Sequence, residues 1–339
     1  MQNPVYLQKR VYILASAAVG GKAEGRGAIG ECFDLIDESD LFGMKSFERA
    51  EGEISRLALN FALKKAGITP GELSLVSSGD LQNQCVASSS GLISFGAPYL
   101  GLYGACSTFT EGIIAACTYL NTDEGAKYCA AVASSHNSAE ERQYRSPLEY
   151  GGQRPPSSQW TATAGGALIL SSVPSSVFVD AFCVGRVIDG YTKDKTNMGA
   201  AMALAAFDTL SSFFEKSGDD PEDYDLILTG DLGRVGSNIL PDMLIRELGD
   251  KGRRISKIHG DAGLMLYDFD TQDVHSGASG CGCSASVFSS FIFPKLVSGE
   301  IKRMLLISTG ALMSPLILNQ GCNIYGIAPL VRICRGDFQ

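Results

Sequence analysis

The sequence predicts an α/β fold built from two similar halves. Short aliphatic or β-branched segments, such as residues 11–15 and 226–229, alternate with amphipathic helical patterns such as residues 47–66. Strands that alternate with helices are typical of largely parallel sheets covered by helices on their faces. Two motifs also recur in the same order in each half, which indicates an internal duplication of one α/β unit.

The elements follow from the positions of these patterns. The helical patterns occupy residues 47–66, 109–120, 201–216 and 287–297. The predicted strands share aliphatic or β-branched composition and short length, and they occupy residues 11–15, 73–77, 130–134, 167–171, 177–184, 226–229, 254–258, 264–267 and 304–308.

The duplication is read from two repeated motifs. A strand ends in Gly-Asp-Leu once in each half, at Asp80 and at Asp231, and a small-residue turn precedes a helix at Cys106 and again at Cys281. Cys106 and Cys281 are separated by more residues than Asp80 and Asp231, which indicates an insertion in the second half, near residues 271–277. A Ser-Ser-Val-Pro-Ser-Ser segment at 171–176 marks the boundary, so we divide the chain into residues 1–172 and 173–339.

Composition excludes some partners and compartments. The 339 residues carry a formal net charge of −9, and no dense cluster of Lys and Arg is present, so nucleic acid is not an expected partner. The same acidity disfavours unaided binding to an anionic membrane, so membrane contact is expected to go through another protein. Ten cysteines lie mostly in apolar segments without a CxxC pair, which indicates a reducing, cytosol-facing environment.

Cys106 is the first candidate for chemistry. It lies in Gly104-Ala-Cys-Ser-Thr, where a small-residue turn leads into the helical pattern of residues 109–120. A thiol at a helix N-terminus meets the positive end of the helix dipole, which favours the thiolate. The alternative is a small buried residue with no chemical role.

Three further residues could complete a site with Cys106. His259 follows a predicted strand and could act as a general base, or it could be a structural imidazole. Cys281 and Cys283 have CxC spacing, but no second Cys/His pair completes a four-ligand metal site, so a tight turn at a helix entrance is the stronger interpretation. No metal site is predicted.

The segment from His136 to Arg154 could bind an anion. It leaves a predicted strand and is rich in Arg, Tyr, Gly and Pro, and Arg side chains bind carboxylates in a bidentate manner. The alternative is a solvated surface loop. The candidate ligand-binding residues in this segment are His136, Asn137, Arg142, Arg145, Tyr150 and Gln153.

Asp80 and Asp231 follow strands of the two halves. Each carboxylate could bind a cation such as Ca²⁺, or it could cap the segment that follows, and capping is the better-supported alternative.

These motifs carry a resemblance to known families. The Gly104-Ala-Cys-Ser-Thr segment is similar to the nucleophile segment of thiolases and ketoacyl synthases, and His259 and the turn at 280–283 follow in the order of that superfamily's base and third catalytic element. Longer stretches resemble the stage V sporulation protein AD (SpoVAD) family. They occupy residues 79–84, 134–155, 184–189, 225–240 and 279–285. No His-x-x-Asn element follows His259, which departs from the decarboxylating enzymes.

The resemblance implies a five-layered αβαβα thiolase-like fold and a homodimer. It also implies binding of dipicolinic acid, with or without Ca²⁺, for uptake into the developing bacterial spore, beside membrane proteins of the same operon at the inner membrane of the forespore. Asp80, Asn83 and Asp231 join the residues of the 136–154 segment as expected ligand contacts. The rival hypothesis is an acyl-transfer enzyme with Cys106 as nucleophile and His259 as base.

Overall fold

A computed structural model describes residues 3–144 and 152–336 of the chain. The strands within these residues are β1 (Val5–Gly21), β2 (Leu35–Asp37), β3 (Leu73–Gly79), β4 (Tyr99–Gly101), β5 (Tyr128–Ser135), β6 (Trp160–Thr161), β7 (Ala164–Ser171), β8 (Val177–Cys183), β9 (Ile188–Asp189), β10 (Leu226–Thr229), β11 (His259–Asp261), β12 (Ala278–Ser279), β13 (Arg303–Ile307), β14 (Gly310–Leu312), β15 (Tyr325–Ile327) and β16 (Leu330–Arg335).

The helices of the same residues are α1 (Lys22–Gly25), α2 (Phe47–Ala66), α3 (Val86–Leu92), α4 (Thr108–Thr122), α5 (Met198–Lys216), α6 (Gly233–Leu248), α7 (Asp250–Lys257), α8 (Ala262–Met265), α9 (Cys281–Val287), α10 (Phe293–Ser298) and α11 (Pro315–Asn319). The bounds of α2 match the predicted helix. Its ends have clear causes, since the Ser46 side chain accepts a hydrogen bond from the backbone N–H of Arg49, and Gly67 follows at a φ of 67°.

Two predicted strands were wrong. Residues 254–258 belong mostly to α7, and residues 264–267 begin within α8. Both segments are short, and a short apolar run carries too little periodicity to separate a strand from a helical turn.

The two halves repeat one strand order. The first half runs β4-β3-β5-β7-β1 and the second runs β11-β10-β13-β16-β8. Corresponding neighbours also have the same relative direction, because β3 is parallel to β4 and β5, as β10 is to β11 and β13, whereas the last two pairings in each half are antiparallel. The duplication predicted from the two motifs is therefore present in the fold.

The long strand β1 pairs with strands of both halves, so the hydrogen bonding continues from one sheet layer to the other. Tyr12 marks the change of partner, since residues 5–12 pair with β8 and residues 12–20 pair with β7. No long linker separates the halves, in agreement with the short boundary segment in the sequence.

Alternating side chains of the strands create the layers. In β13, Met304 and Leu306 pack into the central core with α4 and α9, while Leu305 and Ile307 pack on the opposite face with α5 and α6. In the first half, one face of the strands packs on α2 and the other faces the same central core. The layers are therefore helix, sheet, helix, sheet, helix, as expected for a thiolase-like fold.

The central layer contains the most apolar helical segment. Residues Cys281–Ser298 form a continuous helix through α9, a π-helical turn at Phe288–Ile292 and α10. Among the described residues this is the one helix long and apolar enough to cross a membrane, yet 72% of it is buried inside the protein. It packs against α4, with Phe109 and Phe288 ring centroids 6.1 Å apart, so it is a core helix between the sheets.

Candidate functional site

A cavity of about 420 Å³ opens between the two halves, at the start of α4. Residues from both halves line it, and they come from the loop after β3, the turn before α4, the segment after β5, and the β14–α11 region. Its described lining consists of Leu81, Asn83, Tyr103, Ala105, Cys106, Glu141, Gln143, Tyr144, Met198, Ala311, Met313, Ser314, Pro315 and Leu316. Among these residues there is no His, Lys or Arg.

Cys106 is presented to this cavity by a tight turn. Ala105 has a φ of 52°, which is unfavourable for a residue with a Cβ. A Cβ on Gly104 would lie 1.8 Å from Oε1 of Glu111, so any larger residue there would have to displace the Glu111 side chain. The side chain of Cys106 is 2% exposed. The turn thus places a mostly buried thiol at the floor of the cavity, as the sequence predicted.

The surroundings of Cys106 favour the neutral thiol, whereas the sequence predicted surroundings that favour the thiolate. Burial raises its pKa well above the usual value, and the neighbouring carboxylates of Asp231 and Glu141 raise the pKa further. The thiol donates a hydrogen bond to the carboxylate of Asp231. The prediction that the helix N-terminus favours a thiolate was wrong, because desolvation and two acids outweigh the helix dipole.

Asp231 is the acid beneath Cys106. It is fully buried, and its carboxylate also accepts hydrogen bonds from the backbone N–H of Gly280 at 2.9 Å and from Oγ1 of Thr309 at 2.9 Å. Burial raises its pKa to about 8, and the charge of Asp261 contributes to that rise. Asp231 therefore connects the turn before α4, the residue before α9 and the segment after β13 across the two halves.

Cys281 and Cys283 are buried at the start of α9. The thiol of Cys281 donates to the carbonyl oxygen of Ser134 at 2.9 Å, and that of Cys283 lies 3.7 Å from the carbonyl oxygen of Gly230. Burial raises the pKa of both well above the usual value. Cys281 lies close enough to Cys106 to raise the pKa of that thiol, but neither cysteine is among the described residues that line the cavity.

His259 is held by a hydrogen bond within the second half. It begins β11 instead of following a strand, and its Nε2 lies 2.8 Å from Oγ1 of Thr229. Burial lowers its pKa to about 4. His259 is not among the described residues that line the cavity with Cys106, and the predicted convergence of Cys106, His259 and Cys281 or Cys283 on one cavity stays a prediction.

Asp80 is a capping residue. Its carboxylate accepts hydrogen bonds from the backbone N–H of Gln82 at 2.8 Å and from the backbone N–H and hydroxyl of Ser88 at 2.6 and 2.7 Å. It does not line the cavity, whereas its neighbour Asn83 does. Of the two alternatives for Asp80, the structure supports capping.

His136 and Asn137 also have structural positions. The Nε2 of His136 lies 2.8 Å from the carbonyl oxygen of Asp40, and its Nδ1 accepts the backbone N–H of Ser138. The backbone N–H of Asn137 donates to Oγ1 of Thr163 at 3.1 Å. Both residues are buried and absent from the described lining, so they shape the start of the loop and do not reach the cavity.

The rest of the 136–154 segment contributes to the site unevenly. Glu141, Gln143 and Tyr144 line the cavity, whereas Arg142 is exposed and does not. Arg145 and Tyr150 lie outside the described residues.

A second, smaller cavity of about 50 Å³ adjoins the first and shares Glu141, Tyr144 and Met198 with it. It contains Gln153 together with two cations, Arg154 and Lys195.

Arg154 is held in place at this second cavity. Its guanidinium carbon lies 4.6 Å from the centroid of the Trp160 ring, and its Nη1 donates to the carbonyl oxygen of Asp273 at 2.9 Å. Its Nε is buried and has no hydrogen-bond partner among the described residues. Its Nη2 also donates to the carboxylate of Asp273 at 2.5 Å, so the adjoining cavity offers a guanidinium that is already ion-paired and one unused donor, Nε, while Lys195 is exposed at its rim.

Sequence reasoning missed Glu141 and Lys195. Glu141 accepts hydrogen bonds from Oγ1 of Thr161 and Oγ of Ser279, so it joins the two halves next to Cys106. Both residues stand in polar loops where many charged side chains are solvated, and no periodic pattern separates those that face a cavity. The position of Glu141 within a strand-end loop was the available signal. No group of three His, Cys, Asp or Glu in the described parts of the chain is arranged to hold a metal ion.

Comparisons with known proteins agree with this architecture. The chain is 39% identical over 319 residues to stage V sporulation protein AD of Bacillus subtilis, covering 94% of this chain and 92% of that protein. Cerulenin-bound OleA of Xanthomonas campestris superposes with a TM-score of 0.59 at 14% identity, covering 97% of this chain and 98% of the other. The 3-oxoacyl-[acyl-carrier-protein] synthase III of Aquifex aeolicus superposes with a TM-score of 0.56 at 14% identity, covering 95% of this chain and 99% of the other.

The two structural likenesses show the fold, and the family is shown by sequence. The family model of stage V sporulation protein AD matches residues 1–334, nearly the whole chain. With the thiolase-like fold and the shared sequence taken together, this chain belongs to the SpoVAD family.

Proposed function

We propose that this protein binds dipicolinic acid, alone or as its Ca²⁺ chelate, for uptake into the developing spore, and that it does not transfer acyl groups. The observation that carries the proposal is the state of Cys106. Its thiol donates to a buried carboxylate, and the described lining of its cavity contains no basic side chain. A nucleophilic cysteine needs a base or a positive environment, and among the described residues no basic side chain lines the cavity beside Cys106, whereas Asp231 and Glu141 raise its pKa.

The two cavities supply what a planar aromatic dicarboxylate needs. Tyr103 and Tyr144 offer aromatic walls, and Asn83 and Gln143 offer amide groups. The volume of the cavity beside Cys106, about 420 Å³, lies in the range of small-molecule sites. A carboxylate cannot be buried without a donor or cation; in the adjoining cavity the unused Nε of Arg154 can supply the donor and Lys195 the cation.

The acids of the site determine how the ligand is oriented. Glu141 lies between the two cavities, and Asp231 lies below Cys106. A carboxylate of the ligand is repelled from the carboxylate of Glu141 and attracted to Lys195 and to the unused Nε–H of Arg154. If Ca²⁺ accompanies the ligand, Glu141 is the lining residue that offers carboxylate oxygens to it, since Asp80 is occupied by capping.

The proposal includes a place of action. Membership of the SpoVAD family and the fold support a role in sporulation, and the resemblance associates the family with membrane proteins of the same operon. We infer that this chain acts on the cytosolic side, next to those partners. A pull-down of the membrane proteins of that operon with the parent chain, from sporulating cells, tests this part separately.

Isothermal titration calorimetry with dipicolinic acid, with and without Ca²⁺, tests the binding proposal. We expect saturable binding that Arg154→Ala and Lys195→Ala each weaken at least about tenfold, because the loss of one member of a desolvated charge pair is costly. Lys193→Ala is the matched control, since Lys193 lies in the same loop but not in the cavity lining. Absence of binding under both conditions would contradict the proposal. If only the Ca²⁺ chelate binds and Glu141→Gln abolishes it, the metal and not Arg154 holds the ligand.

Acyl transfer remains the second candidate, and one observation favours it. Ala105 holds a strained φ next to Cys106, and such strain often occurs at functional sites. Incubation with acyl-CoA substrates followed by intact mass spectrometry decides the matter. Acylation of Cys106 that disappears in Cys106→Ala would establish this candidate in place of ours.

We also propose that the chain forms a homodimer through the edge strand β4. This strand ends the sheet, and Tyr99, Leu100 and the nearby Ile93 are exposed, Ile93 at 79%. An open apolar strand edge is a site for pairing with another chain.

Light scattering should report twice the 35.9 kDa of one chain, and Leu100→Lys should give the single-chain mass. Tyr191→Lys, at an exposed position in another loop, should remain dimeric. A parent chain that is monomeric at micromolar concentration would rule out this dimer.

A further inference from the structure

A groove of about 470 Å³ lies away from Cys106, where β1 passes from one sheet to the other. The register of β1 against β7 shifts between Ile13 and Ala15, which leaves Leu14 without a partner on β7. The other wall is the final part of the helix that begins at Cys281. The described lining consists of Leu14, Ala15, Ser16, Cys32, Lys65, Ser289, Ser290, Phe293, Pro294, Val297 and Ser298.

The π-helical turn at Phe288–Ile292 brings polar groups to this groove. The hydroxyl of Ser16 donates to the carbonyl oxygen of Ser289 at 2.6 Å, and the hydroxyl of Ser290 donates to the carbonyl oxygen of Ser286. The hydroxyl of Ser289 itself is buried and has no hydrogen-bond partner among the described residues, with the residue 2% exposed. A buried hydroxyl without a partner is unfavourable, and π-helical turns are frequent at functional sites.

The remaining surface of the groove is apolar, apart from one lysine that is ion-paired. Phe293, Pro294 and Val297 form one side, and Val297 is 47% exposed. Lys65 is the one charged residue among the described residues of the lining, and its Nζ is occupied by the carboxylate of Asp34 at 2.7 Å and the carbonyl oxygen of Ser16 at 2.9 Å. Because Lys65 is already paired, the groove does not select for an anion.

We propose that this groove is a second ligand site, for a small uncharged amphiphile. The apolar body of the ligand packs on Leu14, Phe293 and Val297, and a hydroxyl or carbonyl head pairs with the hydroxyl of Ser289. A charged head is disfavoured because it would be desolvated beside a closed ion pair. This inference does not rest on the function proposed for the Cys106 cavity.

Cys32 provides a readout at the groove, since it is exposed and lines it. The probes are hexan-1-ol and hexanoate, which differ in the charge of the head group. The rate of alkylation of Cys32 by N-ethylmaleimide is measured by site-resolved mass spectrometry, with Cys322 as the internal control outside the groove. We expect saturating hexan-1-ol to slow the alkylation of Cys32 at least fivefold and to leave Cys322 unchanged.

Matched variants test the role of the unpaired hydroxyl. Ser289→Ala should raise the half-protecting concentration of hexan-1-ol at least fivefold, whereas Ser290→Ala, which removes an already paired hydroxyl of the same lining, should change it less than twofold. Hexanoate should need at least tenfold more than hexan-1-ol.

Four results would each overturn the proposal: no protection of Cys32 at any soluble concentration of hexan-1-ol, equal protection of Cys322, equal potency of hexanoate, or unchanged binding in Ser289→Ala.

Discussion

Asp80 and Asp231 stand in the same Gly-Asp-Leu motif, after corresponding strands of the two halves, and both are fully buried. The carboxylate of Asp80 accepts hydrogen bonds from Gln82 and Ser88, all within the segment that follows it. The carboxylate of Asp231 accepts hydrogen bonds from Cys106, Gly280 and Thr309, which lie on other elements. Asp80 therefore stabilises the loop that follows it, whereas Asp231 stabilises the contact between the two halves.

The difference shows how a duplicated fold can acquire one asymmetric site. In both copies a parallel strand delivers a carboxylate to the same edge of its sheet. In the first half, Gln82 and Ser88 of the following segment donate hydrogen bonds to the carboxylate of Asp80. In the second half the next helix, α6, is capped by a different acid, since Asp261 accepts the backbone N–H groups of Leu232 and Gly233. Because Asp261 caps α6, the carboxylate of Asp231 is free to accept a hydrogen bond from the thiol of Cys106 in the first half.

The largest effect is expected from removing the local cap. Asp80→Ala leaves the buried backbone N–H groups of Gln82 and Ser88 unpaired, while the Ser88 hydroxyl keeps the carbonyl oxygen of Cys85 as acceptor, and it should lower the free energy of unfolding by about 3–5 kcal/mol. Urea denaturation followed by far-UV circular dichroism measures this loss. The folded variant should still bind dipicolinic acid as the parent does, because Asp80 does not line the cavity. A folded Asp80→Ala protein that no longer binds would show that Asp80 is a ligand contact and would remove the contrast with Asp231.

The second prediction concerns the pH dependence of stability through Asp231. Its pKa is raised from 3.8 to about 8 in the folded chain, so the folded state holds a proton that the unfolded state has lost. The stabilisation from this proton is complete below about pH 4 and is lost as the pH rises towards 8. Between pH 6 and 8 the parent should lose about 2 kcal/mol relative to Asp231→Asn, which has no proton to lose at this position.

Urea denaturation of the two proteins at several pH values measures the difference. The comparison with Asp231→Asn removes the contributions of other groups, including Asp261, whose pKa is raised to about 6 by burial. Parallel pH profiles would mean that the pKa of Asp231 is not raised in the folded protein, and the desolvation that we ascribe to its burial would then be wrong.

The same contrast explains what the sequence could and could not predict. Period-two alternation and helical periodicity act over many residues, so α2, β3 and β10 were placed closely, and the repeated motifs indicated the duplication. The partners of the two aspartates depend on distant segments. Nothing near Asp231 in the sequence indicates that Thr309 and Gly280 donate to it.

The candidate site was predicted in part for the same reason. Cys106 was found because its turn has a local signature, and Asn83 and Gln153 do line the two cavities. His259 was misplaced because residues 254–258 carry β-branched and apolar residues yet lie mostly in α7. The thiolate was predicted from one helix end, but the pKa of Cys106 is raised by burial and by two acids from other segments of the chain, Asp231 and Glu141.

The smallest effect is expected from changing Cys106 itself. A serine hydroxyl can donate to Asp231 as the thiol does, and the side chain contributes mainly shape to the floor of the cavity, so Cys106→Ser should bind dipicolinic acid within about threefold of the parent, a difference of less than 1 kcal/mol. Calorimetry measures this affinity.

The protonated thiol should also react slowly, because the thiolate is the nucleophile. Iodoacetamide should modify exposed Cys32 well before Cys106, as site-resolved mass spectrometry can show. The two measurements separate a residue that gives the cavity its shape from one that performs chemistry. Rapid alkylation of Cys106 together with loss of binding in Cys106→Ser would mean that the thiolate forms despite Asp231. The two buried aspartates would then differ less than their hydrogen bonds indicate, and the acyl-transfer hypothesis would regain support.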